Sequence, residues 1–370
     1  MQIGFDAKRA FNNTTGLGNY SRFILDALTH FAPQHQYVAY TPRTNVEVYR
    51  FPTVFTPSLP SVLHSWWRSY GVVRQLRKDH IQLYHGLSNE LPQGLAKAGI
   101  RSVVTIHDLI FLRYPALYPA TDRFFYGQKF RAACQQADRI VAVSEQTKRD
   151  MVAFYQIAPN QISVVYQDCH EQFRKPISAI LATQVATKYQ LQKPYVLCVG
   201  TIEARKNQLR LVQAFAEANL PEAELILIGG KTPFQTEIEN YVQQKGLQKR
   251  VRIFNKVPFE HLPALYQQAR IFAYPSIFEG FGIPIVEALQ VGVPVLAATG
   301  SCLEEAGGTG ALYANPLDVS ELTSKLSQLW QDDTLRANLC QNGQQHVQQF
   351  NAQRIANQLV TIYQSLITSY

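Results

Sequence analysis

No stretch of eighteen consecutive apolar residues occurs in this chain, so no segment reads as a membrane-spanning helix. The basic region and apolar core of a secretion signal are lacking too. Gln2-Ile3-Gly4-Phe5 enters a strand directly, and the expectation is a cytoplasmic protein. Cysteine is scarce: Cys134, Cys169, Cys198, Cys302 and Cys340 are odd in number, far apart, and form no Cys-x-x-Cys pair. That pattern argues against a disulfide framework or a structural zinc site and suits small buried hydrophobes. There is no long Lys/Arg tract and no nucleic-acid-binding motif. The formal net charge of +8 therefore points to acidic ligands or an anionic membrane surface, and no nucleic-acid partner is expected. No Asp-x-Asp pair offers a metal site, and no internal repeat is present.

What is present is length and alternation. With 370 residues, 46% of them hydrophobic, the chain is too long for one ordinary core and fits two domains. Strand-like apolar runs at Ile3–Asp6, Tyr37–Tyr40, Val54–Phe55, Ile81–His85, Val103–Ile106 and Ile140–Val143 alternate with helical stripes such as Tyr20, Phe23, Ile24, Ala27, Leu28 and Phe31. Repeated βα units predict an α/β chain with parallel sheets covered on both faces, whose ligands sit at the carboxyl ends of the strands. A second series begins at Tyr195 and continues through Leu225–Ile228, Val251–Phe254, Ile271–Tyr274 and Val293–Ala298. The stretch from Phe173 to Leu191 offers no clear strand and Gln192-Lys193-Pro194 follows it. The boundary is accordingly set at residues 1–178 and 179–352, with a last helix over about 353–370 returning to the first domain.

The densest signal is Ser276-Ile277-Phe278-Glu279-Gly280-Phe281-Gly282-Ile283-Pro284-Ile285-Val286-Glu287. It reads as a strand, a glycine-broken loop and a short helix that starts at Pro284 and closes at Gly292 and Pro294. Backbone N–H groups from Gly280 to Ile283 lie at the helix start, where unpaired donors and the positive dipole end attract an anion. Glu279 and Glu287 carry carboxylates that suit hydroxyls and repel phosphate. Anion donors between two hydroxyl-reading acids describe a sugar nucleotide, although a plain βα turn with a helix-start Glu has the same outline.

These residues, two Glu with seven between them and Glu-Gly-Phe-Gly-Ile-Pro inside, resemble the E-x7-E motif of retaining glycosyltransferases of family 4. The resemblance implies the GT-B fold, two Rossmann-like, doubly wound parallel-sheet domains facing across a cleft. It also brings other segments into view. Gly200-Thr201-Ile202-Glu203-Ala204-Arg205-Lys206-Asn207 resembles the family's basic donor-diphosphate motif, with Thr201 standing where common members place an Arg. Arg offers a fork and Lys a point charge, and two solvated helix-start cations are the alternative. Thr14-Thr15-Gly16-Leu17-Gly18-Asn19 sits where the family's glycine-rich loop approaches the donor phosphates, which brings in Gly16 and Gly18; it is otherwise a surface loop and no good dinucleotide fingerprint. His107 follows the strand Val103–Ile106, where similar enzymes carry a His against the donor sugar, and His85 is a weaker candidate. Backbone near Lys256-Val257 meets the nucleobase in such enzymes. Gly229-Gly230-Lys231-Thr232 is not a P-loop, because Leu225 stands where that motif needs Gly.

The implied reaction is transfer of a hexose from a UDP- or GDP-sugar to a hydroxyl of a glycan or lipid-linked saccharide, with retention. Arg205, Lys206, Gly200 and the helix-start amides would stabilise the departing diphosphate, Glu279 orient the sugar, Glu287 hold the ribose and His107 contact the sugar. No metal and no cofactor beyond the donor are expected. A GT-B epimerase or phosphorylase, or a non-catalytic sugar-nucleotide binder, stays open. Finally, Ser65–Lys78 interleaves Trp66, Trp67 and Tyr70 with Arg68, Arg74, Arg77 and Lys78. That mixture suits an anionic membrane surface or a lipid-phosphate acceptor, while a core-facing helix with a solvated basic face is the alternative.

Overall fold

The computed structural model describes residues 1–220 and 222–368. The chain divides into two compact units, Met1–Gln167 with Phe350–Tyr370, and Asp168–Gln349.

In the first unit the strands are β1 (Gln2–Asp6), β2 (Gln36–Tyr40), β3 (Val54–Phe55), β4 (Leu83–Gly86), β5 (Arg101–Ile106), β6 (Arg139–Ala142) and β7 (Ile162–Val164). They pair in the order β3-β2-β1-β4-β5-β6-β7, and every pairing is parallel. The second unit has β8 (Tyr195–Val199), β9 (Glu224–Ile228), β10 (Val251–Phe254), β11 (Ile271–Tyr274), β12 (Val295–Ala298) and β13 (Ala311–Ala314), again all parallel, in the order β10-β9-β8-β11-β12-β13. Central strands such as Leu225-Ile226-Leu227 and Ile271-Phe272-Ala273 are buried on both faces, as helices on each side of a parallel sheet require. Winding reverses between β1 and β4 and between β8 and β11. At such a reversal the connections leave in opposite directions and open a crevice at the carboxyl ends of the two strands.

The boundary lies at Gln167/Asp168, ahead of the expected residue 178. Residues in between are held by the second unit: Phe173 packs edge-on against Phe259 and Tyr266, and Gln172 Nε2 donates to the Phe259 carbonyl at 3.1 Å. The stretch in which no clear strand was expected contains a helix, Ala179–Lys188, capped by Ser178. β7 and β13 are short strands at sheet edges, and neither stood out from the chain. Glu304, Glu305 and Gly307 belong to a short helix, Leu303–Gly307.

The last helix, Ala352–Ile367, packs against the helix Gly16–Phe31 of the first unit. Residues 369 and 370, which the expected helix included, lie outside the described residues. Asn351 caps its start, and Ile355, Ala356, Leu359, Val360 and Tyr363 form the buried stripe. Tyr363 also enters a fully enclosed polar chain. Its Oη lies 2.7 Å from His85 Nδ1, His85 Nε2 lies 2.9 Å from Thr105 Oγ1, and Tyr20 Oη lies 3.0 Å from that same hydroxyl. Burial pushes the imidazole of His85 down to about 3, and the nearby His107 pushes the same way. His85 is therefore a neutral structural link and not a ligand-facing group.

The expected basic-aromatic helix is broken into Ser61–Leu63, His64–Trp66, a wide π-helical turn at Trp67–Gly71 and Val72–Lys78. Two of its residues are withdrawn from any outer surface. Trp67 is buried and stacks on Phe55. Arg68 bridges Asp6 at 2.9 Å and Glu90 at 2.7 Å, because the carboxylate ending β1 needs a cation once it is out of water. Trp66, Tyr70, Arg74, Arg77 and Lys78 remain exposed. Among the described residues no helix is long and apolar enough to cross a membrane.

Candidate active site

Two loops emerge side by side at the carboxyl ends of β8 and β11. The first runs from Gly200 through a 3-10 turn, Ala204–Lys206, to Asn207, which has φ +63° and stands at the start of the helix Gln208–Glu217. An Asn tolerates that left-handed backbone well, and its side chain donates to the carbonyls of Pro275 (3.1 Å) and Pro316 (2.6 Å). Asn207 thus ties the first loop to the second. Gly229, after β9, comes so close to this loop that a Cβ would lie 1.9 Å from the Gly200 carbonyl oxygen. The glycine turn there serves backbone packing.

The second loop runs from Pro275 to Gly282, which has φ +125° and precedes the helix Ile283–Gln290. Any side chain at Gly282 would be strained in that backbone, and a Cβ would meet Leu303 Cδ2 at 2.9 Å. Cross-links between the loops are dense. Ile277 N–H donates to the Arg205 carbonyl at 2.8 Å, and Ser276 Oγ lies 3.2 Å from it. Arg205 Nη1 donates to the Phe278 carbonyl at 2.7 Å.

Glu279 is the centre of this arrangement. Its Oε2 accepts from Arg205 Nη1 at 2.8 Å, and its Oε1 accepts from Lys206 Nζ at 2.5 Å, Ser276 Oγ at 2.5 Å and Tyr274 Oη at 3.2 Å. Lys206 also donates to Tyr274 Oη at 2.7 Å and lies over its ring, while Arg205 Nη2 reaches Glu203 at 2.6 Å. Burial alone would favour the neutral acid at Glu279; Lys206 and Arg205, followed by hydrogen bonds from Lys206 and Ser276, instead hold it down at about 2. The carboxylate is charged at any physiological pH. Burial works against the charge on Arg205 too, but Glu279 and Glu203 outweigh it and raise its pKa.

Glu287 sits one turn into the helix in a different environment. Its Oε2 accepts from Tyr266 Oη at 2.9 Å, and no ion pair reaches its side chain among the described residues. Burial pushes its carboxyl up to about 7 against the opposing Tyr266 hydrogen bond. The two acids of the motif are thus driven apart in pKa by their surroundings, one permanently ionised and one poised near neutrality. Arg205, Lys206 and Glu279 come together as one cluster; Glu287 shares none of its bonds.

Other expected residues fall as follows. Gly16 begins the helix Gly16–Phe31 and is exposed, whereas Gly18 N–H is taken by Asn13 Oδ1 at 3.1 Å. Val257 lies in the loop after β10 and is half-buried. Gly280 and Phe281 continue the second loop, with Phe281 buried, and Ile283 opens the helix. His107, just beyond β5 in the first unit, is buried, with Nε2 2.9 Å from the Leu87 carbonyl. A carbonyl only accepts, so Nε2 carries the proton and Nδ1 keeps its lone pair. Burial, partly opposed by that bond, pushes the ring down to about 4, leaving a neutral acceptor of hydroxyl protons. Sequence reasoning missed Tyr274, Ser276, Glu203 and Tyr266. The first two border the Glu279 motif and Glu203 lies within the basic one, so these three could have been read as parts of them; Tyr266 carries no local signal.

Both parts of the chain match known family models: glycosyltransferase family 4 over residues 21–167 and glycosyl transferases group 1 over residues 183–346. The O-antigen chain mannosyltransferase B of Escherichia coli is 31% identical over 295 residues, covering 78% of this chain and 75% of that protein. The serotype-specific mannosyltransferase WbdA of Escherichia coli is 29% identical over 241 residues, which are 63% of this chain and 29% of that longer protein. Among solved structures, Anabaena HepE in complex with UDP-glucose matches with a TM-score of 0.78 at 20% identity, over 99% of this chain and 100% of that one. Two doubly wound units of this kind make the GT-B fold, and the class is that of the GT-B glycosyltransferases. Within it, the chain belongs to glycosyltransferase family 4.

Proposed function

We propose that this glycosyltransferase moves a hexose, with retention, from a UDP- or GDP-sugar to a hydroxyl of a glycan or lipid-linked saccharide during synthesis of a surface polysaccharide. The observation that carries the reading is the cluster of Arg205, Lys206 and Glu279 at the β8/β11 reversal, beside the start of the helix Ile283–Gln290. Negative charge grows on the departing diphosphate, and fixed cations with a helix start stabilise it without reorganising. Lys206 and Arg205, with the Gly200 turn below them and backbone from Gly280 to Ile283 beside them, fill that role. No metal is called for. Glu279 orients the sugar, Glu287 takes a ribose hydroxyl, backbone near Val257 meets the base, and the open Nδ1 of His107 suits a sugar hydroxyl. Gly16 and Gly18 are assigned to the glycine loop near the phosphates. Support for a hexose comes from the relatives' names, mannosyltransferases among them, and from the UDP-glucose held by HepE.

The test is to incubate the protein with UDP- and GDP-hexoses, with and without saccharide acceptors, and to follow nucleoside diphosphate release and the anomeric configuration of the product. Acceptor-dependent release that persists in excess EDTA, with the donor's configuration kept, is the expected result. An inverted product would remove the retaining assignment. An isomerised donor, or release that needs inorganic phosphate, would mean an epimerase or a phosphorylase, and binding without turnover would mean a non-catalytic protein.

A lipid-linked acceptor fits an exposed aromatic and basic surface of the first unit. Exposed Leu63, Trp66 and Tyr70 lead into exposed Arg74, Arg77 and Lys78, and Phe124, Phe125 and Tyr126 on the helix Ala120–Gln136 are exposed as well. Lys129 of that helix reaches Glu90 at 3.6 Å, and Glu90 pairs with Arg68, so the two segments are tied through one carboxylate. Aromatic anchors next to cations favour anionic headgroups. Sedimentation with vesicles containing phosphatidylglycerol is expected, and Trp66→Ala with Phe125→Ala should lower the bound fraction about tenfold. Equal binding by wild type to purely zwitterionic vesicles, or unchanged binding by the double variant, would remove this surface from the account.

A further inference from the structure

The cation pair that is to receive a diphosphate is already engaged. Of the acceptors around it, Glu279 takes one bond from each cation, at 2.8 Å from Arg205 and 2.5 Å from Lys206, and Glu203 takes a further one from Arg205 at 2.6 Å. Two positive side chains thus face two negative ones, and the cluster carries no formal excess of positive charge. That is a poor starting point for attracting a ligand with at least two negative charges, unless one of the carboxylates gives way.

Glu279 is built to do so. Its Oε1 accepts from two hydroxyls besides Lys206, Ser276 Oγ at 2.5 Å and Tyr274 Oη at 3.2 Å, so it keeps hydrogen bonds when the cations turn away from it. Lys206 likewise has a second partner, Tyr274 Oη at 2.7 Å, and the Tyr274 ring beneath it, and these hold the ammonium at the Gly200 turn during the exchange. Arg205 is more firmly set, through the Phe278 carbonyl on one side and its own carbonyl bonded by Ile277 N–H on the other. We propose that Glu279 is an internal counter-ion that occupies Arg205 and Lys206 in the empty protein and is exchanged for the donor diphosphate, which frees its carboxylate for the sugar. Donor binding and presentation of Glu279 to the sugar are then one event, and a nucleoside diphosphate alone must compete with a resident carboxylate.

This inference rests on the reading of Arg205 and Lys206 as the diphosphate site, and the experiment separates the two. UDP and GDP are titrated calorimetrically into the full chain and three variants. For the nucleotide that wild type prefers, Glu279→Gln should bind about tenfold more tightly, since it removes a competing charge at close range from both cations. Glu203→Gln, which relieves only Arg205, should gain about threefold. Lys206→Ala should lose binding by tenfold or more. Unchanged or weaker binding by Glu279→Gln, with melting temperature kept and Lys206→Ala impaired, overturns the counter-ion exchange alone. Unimpaired binding by Lys206→Ala, or no binding of either nucleotide to wild type, overturns the diphosphate site itself. Should Glu279→Gln fail to fold, Glu203→Gln decides by the same sign: no gain there overturns the exchange.

Discussion

Lys206→Ala is expected to lower kcat/KM for donor by about a hundredfold to a thousandfold, the range seen when one fixed donor to a developing anion is removed. The loss should fall mainly on kcat, because the charge grows as the bond to the diphosphate breaks. Removing the ammonium takes a bond from Glu279 and leaves Arg205 as that carboxylate's remaining cation. Stability should suffer as well, by about 3 kcal/mol at most, since Glu279 keeps Arg205 as a cation and is not left unpaired. Lys206→Arg is the control for charge: it keeps the cation, but its larger planar head does not fit the compact place of the ammonium between Tyr274 Oη, Glu279 and the Gly200 turn, and activity should recover in part. Steady-state kinetics on folded protein, with the melting curve of each variant, checks both parts. A kcat within threefold of wild type for Lys206→Ala would remove Lys206 from the reaction.

The second large effect concerns pH. Glu287 has its folded pKa raised from 4.5 to about 7. An acid raised in the folded state favours folding while protonated, so its contribution is fully present below the unfolded value and is lost as pH rises through the folded one. The window runs from about pH 4.5 to about pH 7, and the loss is about 3 kcal/mol across it. Glu287→Gln keeps the shape and an acceptor for Tyr266 but cannot ionise. At pH 5 the variant should match wild type; by pH 8 it should be more stable by about 3 kcal/mol, a rise of several degrees in Tm. Glu279 has the opposite sign: depressed to about 2, it contributes stability above pH 4.5 and loses it as pH falls through 2, outside the window tested. Thermal unfolding at pH 5, 6, 7 and 8 is the measurement, and parallel curves for the two proteins would contradict the raised pKa. Since donor hydroxyls prefer the ionised carboxylate, wild-type affinity for a sugar nucleotide should also climb across the same interval.

How much of this was readable beforehand differs from residue to residue. The strand Ile271–Tyr274 matches the observed β11 in full and the series that begins at Tyr195 opens with β8, because each is a continuous apolar run closed by a breaker, Pro275 or Gly200. β7 and β13 did not stand out: Ile162–Val164 and Ala311–Ala314 are three and four residues long and lie at sheet edges, where burial is partial and pattern weak. Residue types at the site were legible, since Arg205, Lys206 and Glu279 are local to two recognisable turns. Their mutual engagement was not. Lys206 and Glu279 are 73 positions apart, and they meet only because β8 and β11 are neighbours in the sheet, a fact of strand order that no local pattern encodes. Arg68 and Trp67 failed as surface residues for the same reason: Asp6, Glu90 and Phe55, which draw them inward, are distant in the chain.

The buried link from Tyr363 through His85 to Thr105 and Tyr20 has a consequence for how the chain matures on the ribosome. The first unit takes a buried side chain from Tyr363 and is completed only after the second, continuous from Asp168 to Gln349, has emerged. The usual vectorial order of synthesis, N-terminal part first, is inverted here. The unit that opens with β1 is sealed after the one that follows it in the chain.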